Sequence, residues 1–186
     1  MTMDEILKLG PVMPVIVIDE ADKALPLAEA LLEGGIRTAE VTLRTPAALA
    51  AIEYIATYCP DITVGAGTVR TAEQAKAVSD AGGRFAVSPG TTDGVLAGCA
   101  AASLPLLPGA ATVSEMMGLA EAGFSALKFF PATAAGGLSF IRSLSSPLPD
   151  LTFCPTGGIT PDTAADTGAD NGAGEDGASG GEGAAE

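Results

Sequence analysis

Lys128 stands inside a short apolar run, Ser125-Ala126-Leu127-Lys128-Phe129-Phe130-Pro131-Ala132, that reads as a buried strand. The other three lysines, Lys8, Lys23 and Lys76, fall on polar faces of predicted helices, where a solvated ammonium costs nothing. A lysine within an apolar strand must be paired, neutral or reactive, because burial disfavours the charged amine. A neutral amine attacks carbonyl carbon, so the setting suggests Schiff-base chemistry. The other reading is a side chain that snorkels from a strand end to water. A second strand, Ala39-Glu40-Val41-Thr42-Leu43-Arg44-Thr45, carries a carboxylate and a guanidinium. Its period of two sets Glu40, Thr42 and Arg44 on one face, with Val41 and Leu43 on the other, toward helices. Such a pair could simply fill an interior, but buried charge is costly enough to put function ahead. There is no histidine in the chain, which removes the commonest general base and the commonest metal ligand. Proton transfer then falls to carboxylate, lysine, tyrosine or cysteine.

These residues need a scaffold, and the chain spells one out up to residue 160. Apolar runs bounded by Gly or Pro at 12–18, 38–43, 62–65, 84–88, 104–107, 126–130 and 151–154 read as buried parallel strands. Helices fill the intervals. Thr45-Pro46 supplies an N-cap followed by a proline in the first helical position. Thr71-Ala72-Glu73-Gln74 and Thr112-Val113-Ser114-Glu115 read as capping boxes. Gly34, Gly82 and Gly123 follow helix ends, where a left-handed residue is wanted. The βα repetition predicts a parallel sheet. Seven strands in line, with chemistry-bearing residues at their C-terminal ends, favour a (β/α)8 TIM-barrel type over an open doubly wound sheet. Neither a GxGxxG nor a P-loop pattern argues for the open sheet.

Small residues end the strands. Val64-Gly65-Ala66-Gly67-Thr68, Val87-Ser88-Pro89-Gly90 and Leu107-Pro108-Gly109 form a rim over which a ligand could approach the backbone. Cys154-Pro155-Thr156-Gly157-Gly158-Ile159 ends the seventh strand, and its Gly-Gly amides suit a phosphate.

The 186 residues are 47% hydrophobic, enough for one domain with a sizeable core. Cys59, Cys99 and Cys154 are an odd set without close pairing, which fits a reducing cytoplasm better than a disulfide framework. The acidic N-terminus does not read as a signal peptide. No apolar stretch approaches the ~20 residues that span a bilayer, so no membrane partner is expected. Half of the net charge of −14 lies in residues 161–186, which hold seven acids and no base. The remaining body has no basic cluster, so no nucleic-acid partner is expected.

Residues 161–186 contain no Val, Ile, Leu, Met, Phe, Tyr or Trp. An acidic Gly/Ala-rich segment cannot offset an ordering cost of ~1–2 kcal/mol per residue, so it is expected to be a disordered tail. The expected organisation is a barrel domain over 1–160, incomplete because no eighth strand or last helix is readable, followed by that tail.

EVTLRT (40–45), VGAGTV (64–69), SPG (88–90), LPG (107–109), KFFPA (128–132) and CPTGGI (154–159), after GPVMPVI (10–16), resemble in order and spacing the 2-keto-3-deoxy-6-phosphogluconate / 4-hydroxy-2-oxoglutarate aldolases. The resemblance runs over residues ~5–160. It implies a trimeric class I aldolase with a (β/α)8 barrel that needs no cofactor and no metal. The expected reaction cleaves the phosphorylated six-carbon keto acid to pyruvate and glyceraldehyde 3-phosphate through a lysine Schiff base. Many members also cleave 4-hydroxy-2-oxoglutarate to pyruvate and glyoxylate. On matching positions, the resemblance makes Lys128 the Schiff-base lysine and Glu40 the general acid/base. Arg44 and Thr68 would hold the pyruvyl carboxylate, Pro89 would lie in the substrate site, and Thr156, Gly157 and Gly158 would bind phosphate. The missing histidines agree, since a metal-dependent aldolase would normally use them as ligands. The tail stands where the family carries a helix, a Gly-Gly-Ser strand and a closing helix. Two rivals therefore stand beside this reading: an inactive, truncated relic or anion-binding fragment of the fold, and a related pyruvate aldolase with another aldehyde substrate.

Overall fold

The computed structural model describes residues 1–160. The segment expected to be a disordered tail, 161–186, lies outside the described residues.

Strands and helices alternate. The strands are β1 (Val15–Ile16), β2 (Thr38–Thr42), β3 (Thr63–Gly67), β4 (Ala86–Val87), β5 (Leu106–Leu107), β6 (Gly109–Ala110), β7 (Ala126–Phe129) and β8 (Thr152–Pro155). The helices are α1 (Met3–Leu7), α2 (Ala24–Glu33), α3 (Ala48–Tyr58), α4 (Ala72–Asp80), α5 (Asp93–Ala101), α6 (Val113–Glu121) and α7 (Gly137–Leu144). Every pairing is parallel, in the sequential orders β1-β2-β3-β4-β5 and β6-β7-β8. Pro108 separates β5 from β6. It has no N–H for the ladder, and its carbonyl instead accepts the Lys128 amide at 2.8 Å. β5 and β6 are thus one wall position, and seven positions are occupied, as the sequence suggests. β1 and β8 are not paired with each other, and the TIM-barrel-like wall is open between them among the described residues.

The run 12–18 forms only a two-residue strand, paired with β2 alone. Val12, Val15 and Val17 are exposed there. β2 is buried along its whole length, flanked by β1 and β3. Its Ala39 and Val41 join Val64, Ile52 and Ala28 in the layer between sheet and outer helices. A second apolar cluster locks β7 and β8 to α6 and α7 through Met116, Phe129, Ile141 and Phe153. Within it the Phe129 and Phe140 rings stack 5.2 Å apart, which fixes the strand that bears Lys128.

α1 closes one end. Thr2 and Glu5 form a capping box, and Ile6 is fully buried among Phe85, Val87, Leu107 and Ala126. The Ser125 hydroxyl, just before β7, donates to the Asp4 carboxylate at 3.3 Å. This plug covers the N-terminal ends of the strands and leaves their C-terminal ends for chemistry.

Some helix ends match the sequence reading and others differ from it: Gly82 and Gly123 are left-handed as expected, with φ +80 and +92. The Thr112 capping box forms with Glu115. At α4, Thr71 accepts from the Gln74 amide as expected, but the Gln74 side chain reaches back to the amide of Arg70. Thr45 does not cap α3, which starts at Ala48; its hydroxyl donates to the Ile18 carbonyl at 2.5 Å, tying the loop after β2 to the one after β1. Gly34 is right-handed with φ −77, and the left-handed residue is Gly35 with φ +80. No helix among the described residues is long and apolar enough to cross a membrane.

Candidate active site

Lys128 sits at the centre of β7, with Gly109 of β6 and Cys154 of β8 as its register partners. All four β7 residues are buried, and Lys128 is 5% exposed. It does not snorkel to water. Its ammonium nitrogen lies 3.3 Å from Oε1 of Glu40, which is 3% exposed at the centre of β2. β2 and β7 therefore meet across the barrel interior. Nζ also stands 5.4 Å from the centre of the Phe130 ring. A pair this deep is held because each charge partly compensates the desolvation of the other.

Glu40 is pushed above the ordinary carboxylate range, chiefly by burial. The charge and hydrogen bond of Lys128, and then the charge of Arg44, act in the opposite direction. A carboxyl held this way exchanges protons nearer neutrality than a solvated one, which suits a group that must both give and take them. Cys154, beside the pair, has its thiol pushed up by burial and by the Glu40 charge, so it stays protonated.

The remaining sequence-predicted residues ring the C-terminal ends of the strands. β2 ends at Thr42, so Arg44 is not on the strand face with Glu40; the alternation stops in a turn where the Arg44 amide donates to the Thr42 carbonyl. Arg44 reaches the site by another route. Its Nε donates to Thr68 Oγ1 at 3.2 Å, just past the end of β3. Thr68 has φ +61, a conformation a β-branched residue adopts only at a cost, and it turns the hydroxyl onto the guanidinium. Thr42, expected beside Glu40, spends its hydroxyl on the Ile16 carbonyl and links β2 to β1. Pro89 follows β4 and packs on Gly109, where a Cβ would stand 2.6 Å from the Pro89 carbonyl carbon. Buried Ser88, which sequence reasoning did not single out as a site residue, braces this contact by accepting the Gly109 amide at 3.1 Å.

Thr156, Gly157 and Gly158 follow β8. The carbonyls of Thr156 and Gly157 accept the amides of Ala132 and Thr133, which moors this loop to the one after β7. Gly157 and Gly158 have φ +99 and +79, so successive amides turn as glycine allows. Neither amide has a backbone partner among the described residues. A groove of about 940 Å³ runs through the opening between β1 and β8, and its walls include Glu40, Cys154, Thr156, Gly157 and Gly158. Lys128 is not itself among the lining residues and reaches the groove only through its contact with Glu40 at 3.3 Å.

A buried amine against a buried carboxyl, with an arginine–hydroxyl pair and a free glycine loop on the same rim, is equipped for iminium chemistry on an anionic carbonyl compound. A family model described as "Aldolase: KDPG and KHG aldolase" matches residues 3–172. The chain belongs to the KDPG and KHG aldolase family. The match reaches past residue 160, where the recognisable motifs end. The chain is similar to the 2-dehydro-3-deoxy-phosphogluconate aldolase of Pseudoalteromonas atlantica, 48% identical over 157 residues that cover 84% of this chain and 73% of that protein. It is likewise similar to the KHG/KDPG aldolase of Escherichia coli K12, 46% identical over 158 residues covering 85% and 74%. Among solved structures, KDPG aldolase from Legionella pneumophila, with pyruvate captured at low pH as a covalent carbinolamine intermediate, superposes with a TM-score of 0.83. The two chains are 48% identical, with 86% of this one and 77% of that one covered. This KDPG/KHG-family chain shares its parallel α/β architecture with the solved relative.

Proposed function

We propose that Lys128 and Glu40 catalyse in this chain the reaction of its family: cleavage of 2-dehydro-3-deoxy-6-phosphogluconate to pyruvate and glyceraldehyde 3-phosphate. The observation that carries the proposal is the buried Lys128–Glu40 pair at 3.3 Å. Glu40 as carboxylate takes a proton from the amine, and Nζ attacks the keto carbon to give a carbinolamine. Glu40 returns the proton to the departing hydroxyl, and water leaves an iminium. Glu40 then removes the proton of the substrate's C4 hydroxyl. The C3–C4 bond breaks, its electron pair moves toward the iminium nitrogen, and the aldehyde departs from an enamine. Protonation of that enamine at C3, followed by hydrolysis, frees pyruvate and restores Lys128. Arg44 and Thr68 are assigned to the pyruvyl carboxylate, which the guanidinium can meet with charge-assisted hydrogen bonds. Pro89 is assigned to the wall beside the reacting carbons.

Thr156, Gly157 and Gly158 are assigned to the phosphate. 4-Hydroxy-2-oxoglutarate carries no phosphate and is proposed as a second substrate, cleaved to pyruvate and glyoxylate. Steady-state pyruvate release on both substrates tests the reading. A specific expectation follows for Gly158→Ala. The new Cβ would meet Oγ1 of Thr133, and an L residue is strained at φ +79. Losing one charge-assisted hydrogen bond, worth ~1.5–3 kcal/mol, should raise KM for the phosphorylated substrate by roughly 10–100-fold. KM for 4-hydroxy-2-oxoglutarate should move by less than about threefold. Equal changes on both substrates would remove the phosphate assignment.

A homotrimer in the cytoplasm belongs to the same proposal. Three cysteines that are all unpaired support a reducing compartment. Sedimentation equilibrium at micromolar concentration should give three times the chain mass.

A further inference from the structure

We propose that Gly67 is a positioning residue: the side chain it lacks leaves the slot that holds the Glu40 carboxylate against Lys128. Gly67 is the last residue of β3 and is buried. Its φ is not among the positive ones, so its backbone does not require glycine. What requires glycine is space. A Cβ at this position would collide with Oε1 of Glu40 and stand 2.8 Å from both Cδ and Cγ. Real Cβ atoms are essentially never closer than 3.0 Å to such a neighbour.

The collision cannot be relieved by moving the strand. Gly67 is in register with Thr42, and its carbonyl accepts the Leu43 amide at 2.9 Å, so its backbone is tied to the same strand that carries Glu40. Thr68, the next residue, is held by Arg44. The Glu40 side chain is the movable partner, and it is wedged between Gly67 and Lys128. Any Cβ at position 67 must therefore rotate the carboxyl away from the amine. Gly65 on the same strand is a different case, since a Cβ there would meet the ring and carbonyl of Phe85 at 2.5 Å, within the fold rather than at the site.

This proposal rests on the acid/base reading of Glu40, and its test separates the two. In Gly67→Ala, kcat should fall by ~10²–10³-fold, on the scale of losing a general acid/base. KM should change little, and Lys128 should still be trapped by pyruvate and borohydride. A thermal double-mutant cycle reads the contact itself, whatever Glu40 does in the reaction. Gly67→Ala should lower Tm by about 2–4 °C in the parent and by less than about 1 °C in a Glu40→Ala background, where the obstructing side chain is gone. Should Gly67→Ala alone be unfolded, a folded double variant supports the proposal and an unfolded one contradicts it. Turnover within about twofold of the parent, or the same Tm loss in both backgrounds, overturns it. A fully active Glu40→Gln variant would instead remove the acid/base reading while leaving the thermal result standing.

Discussion

Replacing Lys128 with Met should abolish turnover while leaving the barrel folded. Methionine matches the aliphatic stem of lysine, with sulfur in place of one methylene, and lacks the amine, so β7 retains its packing with Phe153 and Met116. The loss should be roughly 10⁴-fold or more in kcat, the scale on which removal of a covalent nucleophile acts. The remaining partner, Glu40, would be a buried carboxyl without its cation. It is already held above the ordinary carboxylate range by burial, and the Lys128 charge and hydrogen bond are what lower it. Without them it stays protonated to still higher pH, which limits the cost of an unpaired buried charge. Far-ultraviolet dichroism should therefore match the parent. If Lys128→Met retained a tenth of the parent rate, the pair would be a structural ion pair and the iminium route would be wrong.

Glu40→Gln should give the second-largest effect, a fall in kcat of ~10²–10⁴-fold. The carboxamide fills the same slot beside Gly67 but cannot take a proton. Lys128 should still react with pyruvate, more slowly. The pH profile carries the sharper test. Because Glu40 is raised, it is still protonated where a solvated glutamate has ionised, and the rate that depends on its carboxylate form should climb with pH through a range above the ordinary carboxylate value of 4.5. In Glu40→Gln that acid limb should vanish. An unchanged acid limb in the variant would assign it to another group.

Much of this was readable in the chain and some was not, for identifiable reasons. Lys128 announced itself because a cation in an apolar strand is costly wherever the strand lies. The rim motifs announced the βα repeat because each couples a strand end to a small residue. The Lys128–Glu40 contact spans 88 residues of sequence and has no local signature; only the facing of β2 and β7 creates it. Arg44 was placed by extending the alternation of β2 past Thr42, where the turn at Arg44 and the hydrogen bond from Thr45 to Ile18 break the period. The helix expected around Lys8 is only the five-residue plug α1, which stops at Leu7 with Lys8 as its C-cap; the burial of Ile6 holds it, and that burial has no local signature. Glycine was the most ambiguous letter. Gly157 and Gly158 need it for conformation, Gly67 for space beside a carboxylate, and the sequence spells the three alike.

Reductive trapping tests the account's centre most directly. The chain, mixed with pyruvate and borohydride, should acquire one stable N-(1-carboxyethyl) adduct, and peptide mapping should place it on Lys128. Lys8, Lys23 and Lys76 should stay unmodified, since Lys23 and Lys76 are exposed and ion-paired with Glu20 and Asp80, and Lys8 is exposed at the C-cap of α1. An adduct on any of those three, or a folded protein that acquires none, would contradict the assignment of Lys128 as the Schiff-base residue.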